Sequence, residues 1–379
     1  MGWSLHHPHG LIYHAPQYCQ RGYTLYSNLR GYDANLIDME GRICHRWHWP
    51  GGINYANLLP NGNLLFQNLA PAEKLPMTGI GGSSGGLVEL DWDGNLVWEL
   101  KNPWIHHDFQ RLANGNSLAL MWDEISVEMT SQVKGGFTTP EDPARMLGDA
   151  VREYTPSGEV VHEWKSYEHL DFGEDVICPL EGRREWTHGN SINVTADGDY
   201  LVSFRQTSTV GIVDHETGKF TWKWGPGDIS HQHNPSFLDN GRVLLFDNGS
   251  HRRAPSTNYS RIVEIDPANN EVDWDYRGEP PISFYSYQIS GAERQPNGNT
   301  LICEGATGRF IEVTSGHQIV WEFINPLFAD SARLAGGSAS GQANSVFRAH
   351  RHSHDDPALQ GRNLDPANYA NLNRTLGTA

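Results

Sequence analysis

The chain has 379 residues, of which 38% are hydrophobic and 19% charged, and carries a net charge of −17 at pH 7. That apolar share supports a packed core and excludes a disordered chain, and the acidic balance argues against nucleic acid or anionic membranes as partners. Its 40 Gly, 13 Trp and 14 Tyr suit turn-rich β structure better than helix bundles.

The opening, MGWSLHHPHGLIYHAP, has no basic segment followed by an apolar run, and no membrane-spanning stretch follows, so a cytoplasmic location is the expectation. From there two kinds of hairpin alternate. One is a tryptophan unit: a strand with an acidic residue, usually a turn with Gly, and a strand ending in Trp. Its copies end at Trp47, Trp98, Trp164, Trp222, Trp274 and Trp321. The repeated Trp is expected as a core residue between neighbouring sheets. The other is a turn unit: a polar start, a strand, an Asn-Gly or Asp-Gly turn, and an apolar strand. Its copies begin at Asn54, His107, His188, His233 and Ser290.

One turn unit plus one tryptophan unit makes four strands, the content of a propeller blade. Five such pairs run from Asn54 to Phe323. The sixth tryptophan unit precedes any turn unit, so its missing strand is expected from Asn344–Arg351. The reading is all-β: a six-bladed β-propeller closed by strands from both termini, as a single domain over 1–355 with a C-terminal surface tail over 356–379. Insertions near 123–148 and 166–184 are expected as lids. The run Gly79–Gly86 is followed by no Gly-Lys-Ser/Thr and is read as a flexible connection, not a phosphate loop. Cys19, Cys44, Cys178 and Cys303 are scattered, giving neither a disulfide framework nor a zinc knuckle.

In a propeller the first strand of each blade lies nearest the axis, so the starts of the turn units converge. Eight residues before each turn glycine stand Asn54, His107, Asn190, His233 and Ser290; ten before stand Gly52, Ile105, His188, His231 and Gln288. With period-two alternation the two sets share a face. Three blades therefore offer histidine at matching offsets, and His106 points the other way. A two-residue turn at Asp197-Gly198 sets Asn190 opposite Arg205, with His188 diagonal to it, and by the same count His233 lies opposite Asn248. A guanidinium beside imidazoles suits a tetrahedral oxyanion. Tyr259 opens the next strand and borders the site. His350, His352 and His354 form a second cluster, read as a metal group or a solvated strand end.

Several stretches, in one order, resemble the bacterial aryl-sulfate sulfotransferase family: His106–Phe109 (HHDF), Trp186–Ile192 (WTHGNSI), the SFR ending at Arg205, Gln232-His233, Phe246–Gly249 (FDNG) and Tyr259–Arg261 (YSR). The resemblance implies a six-bladed propeller that moves a sulfuryl group between phenols without the nucleotide donor PAPS, by a ping-pong route through a sulfated histidine. It implies His233 as nucleophile, with His107, His188 and Arg205 holding sulfate and shuttling protons. Asn190, His231, Tyr259 and His106 are the expected substrate-binding residues. The expected partner is a small phenolic or other anionic substrate, and monomer and homodimer both stay open. No cofactor is expected. Two alternatives stand beside this: a metal-dependent lyase, hydratase or oxidoreductase with a divalent transition metal on His107, His188 and His233, and a non-catalytic binding propeller.

Overall fold

The computed structural model describes residues 8–77, 79–140, 145–195, 197–253, 257–330 and 342–378; the opening Met1–His7 and Glu141–Ala144 of the first insertion lie outside them. The fold is a six-bladed β-propeller built from six four-stranded antiparallel blades. The chain divides into two compact units, each with three blades.

The first unit holds blades 1, 2 and 6. Blade 1 takes its first strand from the C-terminal part of the chain: Val346–Ser353 pairs with Gly22–Asn28, followed by Gly31–Ile37 and Ile43–Ile53. Blade 2 comprises Tyr55–Leu58, Leu64–Asn68, Gly86–Leu90 and Leu96–Lys101. Blade 6 comprises Gly291–Arg294, Thr300–Glu304, Arg309–Val313 and Ile319–Ile324, and Gly10–His14 adds a fifth strand on its outer edge. Beyond blade 1, a helix at Ala370–Leu376 brings Asn373 onto Ile43, whose backbone N–H it accepts and whose carbonyl it donates to. The closing strand carries a buried ion pair: Arg351 meets Glu312 at 3.3 Å, donates to Thr24 Oγ1 at 2.7 Å and lies over Trp321.

The second unit holds blade 3 (Ile105–Arg111, Ser117–Ile125, Met146–Tyr154, Val160–Lys165), blade 4 (Gly189–Val194, Tyr200–Phe204, Thr209–Val213, Phe220–Trp224) and blade 5 (His233–Phe237, Val243–Asp247, Arg261–Asp266, Glu271–Arg277). The two insertions pair with each other. Gly135–Phe137 and Ile177–Gly182 form a small parallel sheet over a cluster of Ile125, Val133, Met146, Tyr167, Ile177 and Trp186.

The turns differ from expectation, with a consequence for register. Asn-Gly was read as a two-residue turn, but each such hairpin closes over three residues. Leu238 N–H donates to Arg242 O and Gly241 N–H to Leu238 O, with Gly241 at φ 81°. The same pattern recurs at Leu59–Asn63, Leu112–Asn116, Thr195–Asp199 and Gln295–Asn299. This is a type I turn ending in a left-handed glycine, which demands Gly only at the third loop position. The pairing therefore slips by one residue. Ile192 faces Val202, and Arg205 instead lies beyond the strand, its N–H donating to His188 O at 3.2 Å.

The tryptophans also divide. Trp47, Trp164 and Trp321 are buried, whereas Trp98, Trp222 and Trp274 are partly exposed. The buried indoles do more than fill space. Trp47 donates to Asp91 O, Trp164 to Gly218 O and Trp321 to Met39 O, in each case a turn carbonyl of a neighbouring blade. The indole N–H thus satisfies a carbonyl where two sheets meet.

Candidate active site

The first strands of blades 3, 4 and 5 lie side by side in the second unit. Each breaks register near its start, between Ala119 and Met121, Gly189 and Ser191, and His233 and Ser236 on the blades concerned. Near these irregularities His107, His188 and His231 adopt φ of 48°, 51° and 60°. A left-handed non-glycine residue costs about 1 kcal/mol or more, so each of these histidines holds local backbone strain. The bulges also end simple alternation, so offset counting from the turn does not fix which way each ring points.

One group gathers on blades 3 and 4. The His107 and His188 rings meet edge to face at 4.5 Å. His107 Nδ1 lies 2.9 Å from His106 Nδ1, and His106 Nε2 lies 3.1 Å from Asp149 Oδ1, with the His106 ring stacked on Trp122. Burial alone would raise the Asp149 carboxyl, but His106, Thr187 Oγ1 and the Gly189 N–H outweigh it and hold it below the usual range. His106 Nε2 and Asp149 Oδ1 stand close but without an aligned hydrogen bond. His188 Nδ1 donates to Glu185 Oε2 at 2.8 Å, while Glu185 Oε1 accepts from Trp122 Nε1.

The glycine run reaches this group. His107 N–H donates to Gly82 O, and Ser84 Oγ donates to Ile105 O, so the segment is tied down against blade 3 instead of hanging free. A Cβ on Gly82 would fall 2.0 Å from the His107 ring, and one on Gly81 would touch the His188 ring at 3.4 Å.

A second group centres on Glu181, from the second insertion. Its Oε1 accepts from Arg205 Nη1 at 2.8 Å and stands 3.1 Å from His231 Nε2 and 3.6 Å from His251 Nδ1. Burial pushes its carboxyl up, but His231, Arg205 and the more distant His188 charge pull it down to about 2. His231 shows the converse balance: burial lowers it and Arg205 and His251 add to that, against the upward pull of Glu181. Arg205 thus stands near the histidines but is held by a carboxylate that the sequence reading did not include.

His233 is the most completely fixed ring. Its Nδ1 lies 2.7 Å from Asn248 Oδ1 and 3.1 Å from His231 O. Asn248 Nδ2 donates to Ser286 O, which fixes the amide with its oxygen toward His233. Both neighbours are acceptors, so Nδ1 carries the proton, and the neutral ring has its lone pair on Nε2. The backbone pairs His233 with Phe246, not Asn248; the expected contact is made by side chains across the bulge.

Other expected site residues are placed in bracing roles. Asn190 donates to Gln232 O, linking blades 4 and 5, as Asp108 Oδ2 accepts from Ile192 N–H between blades 3 and 4. Tyr259 stacks under Arg252, whose guanidinium lies 4.5 Å from the ring. The alternative metal set His107, His188 and His233 does not converge: among the described residues the one group of three with ligand atoms within 4.8 Å is Cys178, His231 and His251. His350 and His352 pair separately in the first unit, with Tyr55 and Glu293 and with Asp356, and His354 packs edge-on against Tyr23. Sequence reasoning missed Asp149, Glu181, His251 and Cys178 as members of the site. Glu185 carried a signal, a carboxylate three residues before His188.

A protein of unknown function from Bacteroides caccae superposes with a TM-score of 0.52 at 15% identity, covering 87% of this chain and 98% of that one. A streptogramin B lyase (TM-score 0.47, 13% identity, 84% and 82% covered) and virginiamycin B lyase from Staphylococcus aureus (TM-score 0.43, 13% identity, 84% of each) are further structural neighbours. No curated protein matches the sequence. No helix among the described residues is long and apolar enough to cross a membrane. A family model described as arylsulfotransferase (ASST) matches residues 56–326, a stretch that includes every histidine of both groups. By that match the chain belongs to the arylsulfotransferase (ASST) family.

Proposed function

We propose that this protein is a PAPS-independent aryl-sulfate sulfotransferase that carries the sulfuryl group on His233. The observation that carries the reading is the pair of acceptors at His233 Nδ1, Asn248 Oδ1 and His231 O, which favour the proton there and make Nε2 the nucleophilic atom. In the first half-reaction Nε2 attacks the sulfur of an aryl sulfate. The N–S bond forms, the S–O(aryl) bond breaks, and the phenolate takes a proton. In the second half-reaction a phenol gives up its proton, its oxygen attacks sulfur, and the N–S bond breaks to restore the ring.

His188, with Glu185 behind its Nδ1, has the base-and-orienter arrangement of a proton carrier for both halves. His107 and the remaining donors of Arg205 are the groups for sulfuryl oxygens, whose charge they stabilise as it builds. The substrates are small phenolic sulfates and phenols, and the proposed chemistry requires no metal.

The test is incubation with p-nitrophenyl sulfate and phenol, followed by intact-protein mass spectrometry with donor alone. The expected result is nitrophenolate release that depends on phenol, and a sulfuryl adduct that His233→Ala abolishes. Transfer that survives in His233→Ala refutes the assignment.

A further inference from the structure

Outside the proposed nucleophile, one constellation is left without a role in sulfuryl transfer. Cys178 stands on the strand Ile177–Gly182, where its N–H donates to Gln206 O at 2.8 Å. His251 lies in the connection between the second and third strands of blade 5, with a left-handed φ of 61°, and places Nδ1 3.5 Å from Cys178 Sγ. His231 completes the trio, 1% exposed, its ring edge to face with His251 at 4.6 Å. We infer that Cys178, His231 and His251 form a binding site for a zinc-class divalent ion.

The argument is geometric. A tetrahedral zinc with bonds of about 2.3 Å to sulfur and about 2.0–2.1 Å to nitrogen sets its ligand atoms roughly 3.3–3.6 Å apart. The 3.5 Å separation of Cys178 Sγ and His251 Nδ1 is such an edge, and all three ligand atoms lie within 4.8 Å. His231 Nε2 is buried and lies 3.1 Å from Glu181 Oε1 without an aligned hydrogen bond. That carboxylate stands against both imidazoles and supplies the fourth donor after a small side-chain shift. One soft thiolate and two imidazoles select zinc over magnesium or calcium.

Binding releases the Cys178 proton, which burial and the Glu181 charge otherwise retain. It also draws Glu181 toward the ion and away from Arg205, so the ion and the guanidinium compete for one carboxylate. The trio's ligand atoms are not those of the His107, His188 and His233 rings, although His231 O accepts from His233 Nδ1, and its test does not depend on sulfuryl transfer.

The experiment uses the full chain, chelated, desalted and titrated with Co²⁺ as the probe, with Zn²⁺ as competitor. The expected result is saturation at one ion per chain with a thiolate-to-cobalt charge-transfer band that Zn²⁺ bleaches. Cys178→Ser should abolish the band. His251→Ala, a partly exposed position where folding is not at stake, should weaken binding by more than the roughly 10–100-fold typical of outer-shell changes. A His352→Ala control should leave binding unchanged. A titration without saturation, or binding unaltered in Cys178→Ser or His251→Ala, overturns the site.

Discussion

Gly82→Ala separates the positioning of His107 from backbone effects. Gly82 has φ 76°, and an added Cβ would lie 2.0–2.3 Å from three atoms of the His107 imidazole. Ordinary contact begins near 3.4 Å, so the ring must retreat by about 1.4 Å (3.4 minus 2.0). The ring is buried between His106 and His188, so its retreat disturbs packing as well as geometry. A misplacement on the order of 1 Å near reacting atoms costs roughly 10²-fold in rate. Gly115→Ala is the matched control: φ is 87° and nothing lies within 4 Å of its Cβ. Both variants incur about 1–2 kcal/mol for left-handed alanine, and the urea midpoint of Gly82→Ala should fall further, by the cost of displacing the buried ring. Phenol-dependent turnover of p-nitrophenyl sulfate should fall about 100-fold in Gly82→Ala alone. Equal turnover in the two variants would refute the claim that the glycine run seats His107.

Asn248→Ala removes the nearer of the two acceptors at His233 Nδ1 and leaves only His231 O; kcat should fall by roughly 10²-fold with KM little changed, and wild-type kcat would discard a positioning role for Asn248. Glu181 titrates near 2 in the folded chain against an ordinary 4.5, so its contribution is complete above pH 4.5 and lost as pH falls toward 2. That contribution is on the order of 3 kcal/mol. Urea midpoints measured from pH 6 to pH 2.5 should converge for wild type and Glu181→Gln at the acid end. Arg351→Ala strands the buried Glu312 and should destabilise by about 3–5 kcal/mol in denaturant melts, while Arg351→Met with Glu312→Gln should recover much of that loss.

The scaffold was legible because its devices repeat and each has a steric cause. Gly62, Gly115, Gly198, Gly241 and Gly298 all have φ between 81° and 95°, a conformation that forces glycine at a fixed distance from each strand. The tryptophan ends and the C-terminal strand of blade 1 followed from the same count; the strand runs Val346–Ser353 against the expected Asn344–Arg351. The candidate residues His107, His188 and His233 were legible because they ride on that repeat. Glu181 and Cys178 arrive on an insertion with no period, and His251 sits in a loop. Arg205 was placed by a register that the third loop residue shifts by one, and its hydrogen bond to Glu181 could not be read from pairing. Histidines at bulges escape alternation altogether.

The bond from Arg351 to Thr24 joins residues 327 positions apart. During synthesis at about 5–20 residues per second, the strand Gly22–Asn28 therefore waits roughly 16–65 s for its partner. Through that interval it presents an unsatisfied edge flanked by apolar side chains, the template on which nascent chains cross-pair. A cell making this protein quickly would have to shield that edge, and a recombinant host that does not will collect it as inclusion bodies. Weaker induction, which lowers the number of nascent chains that share this exposed edge at one time, should then raise the soluble yield.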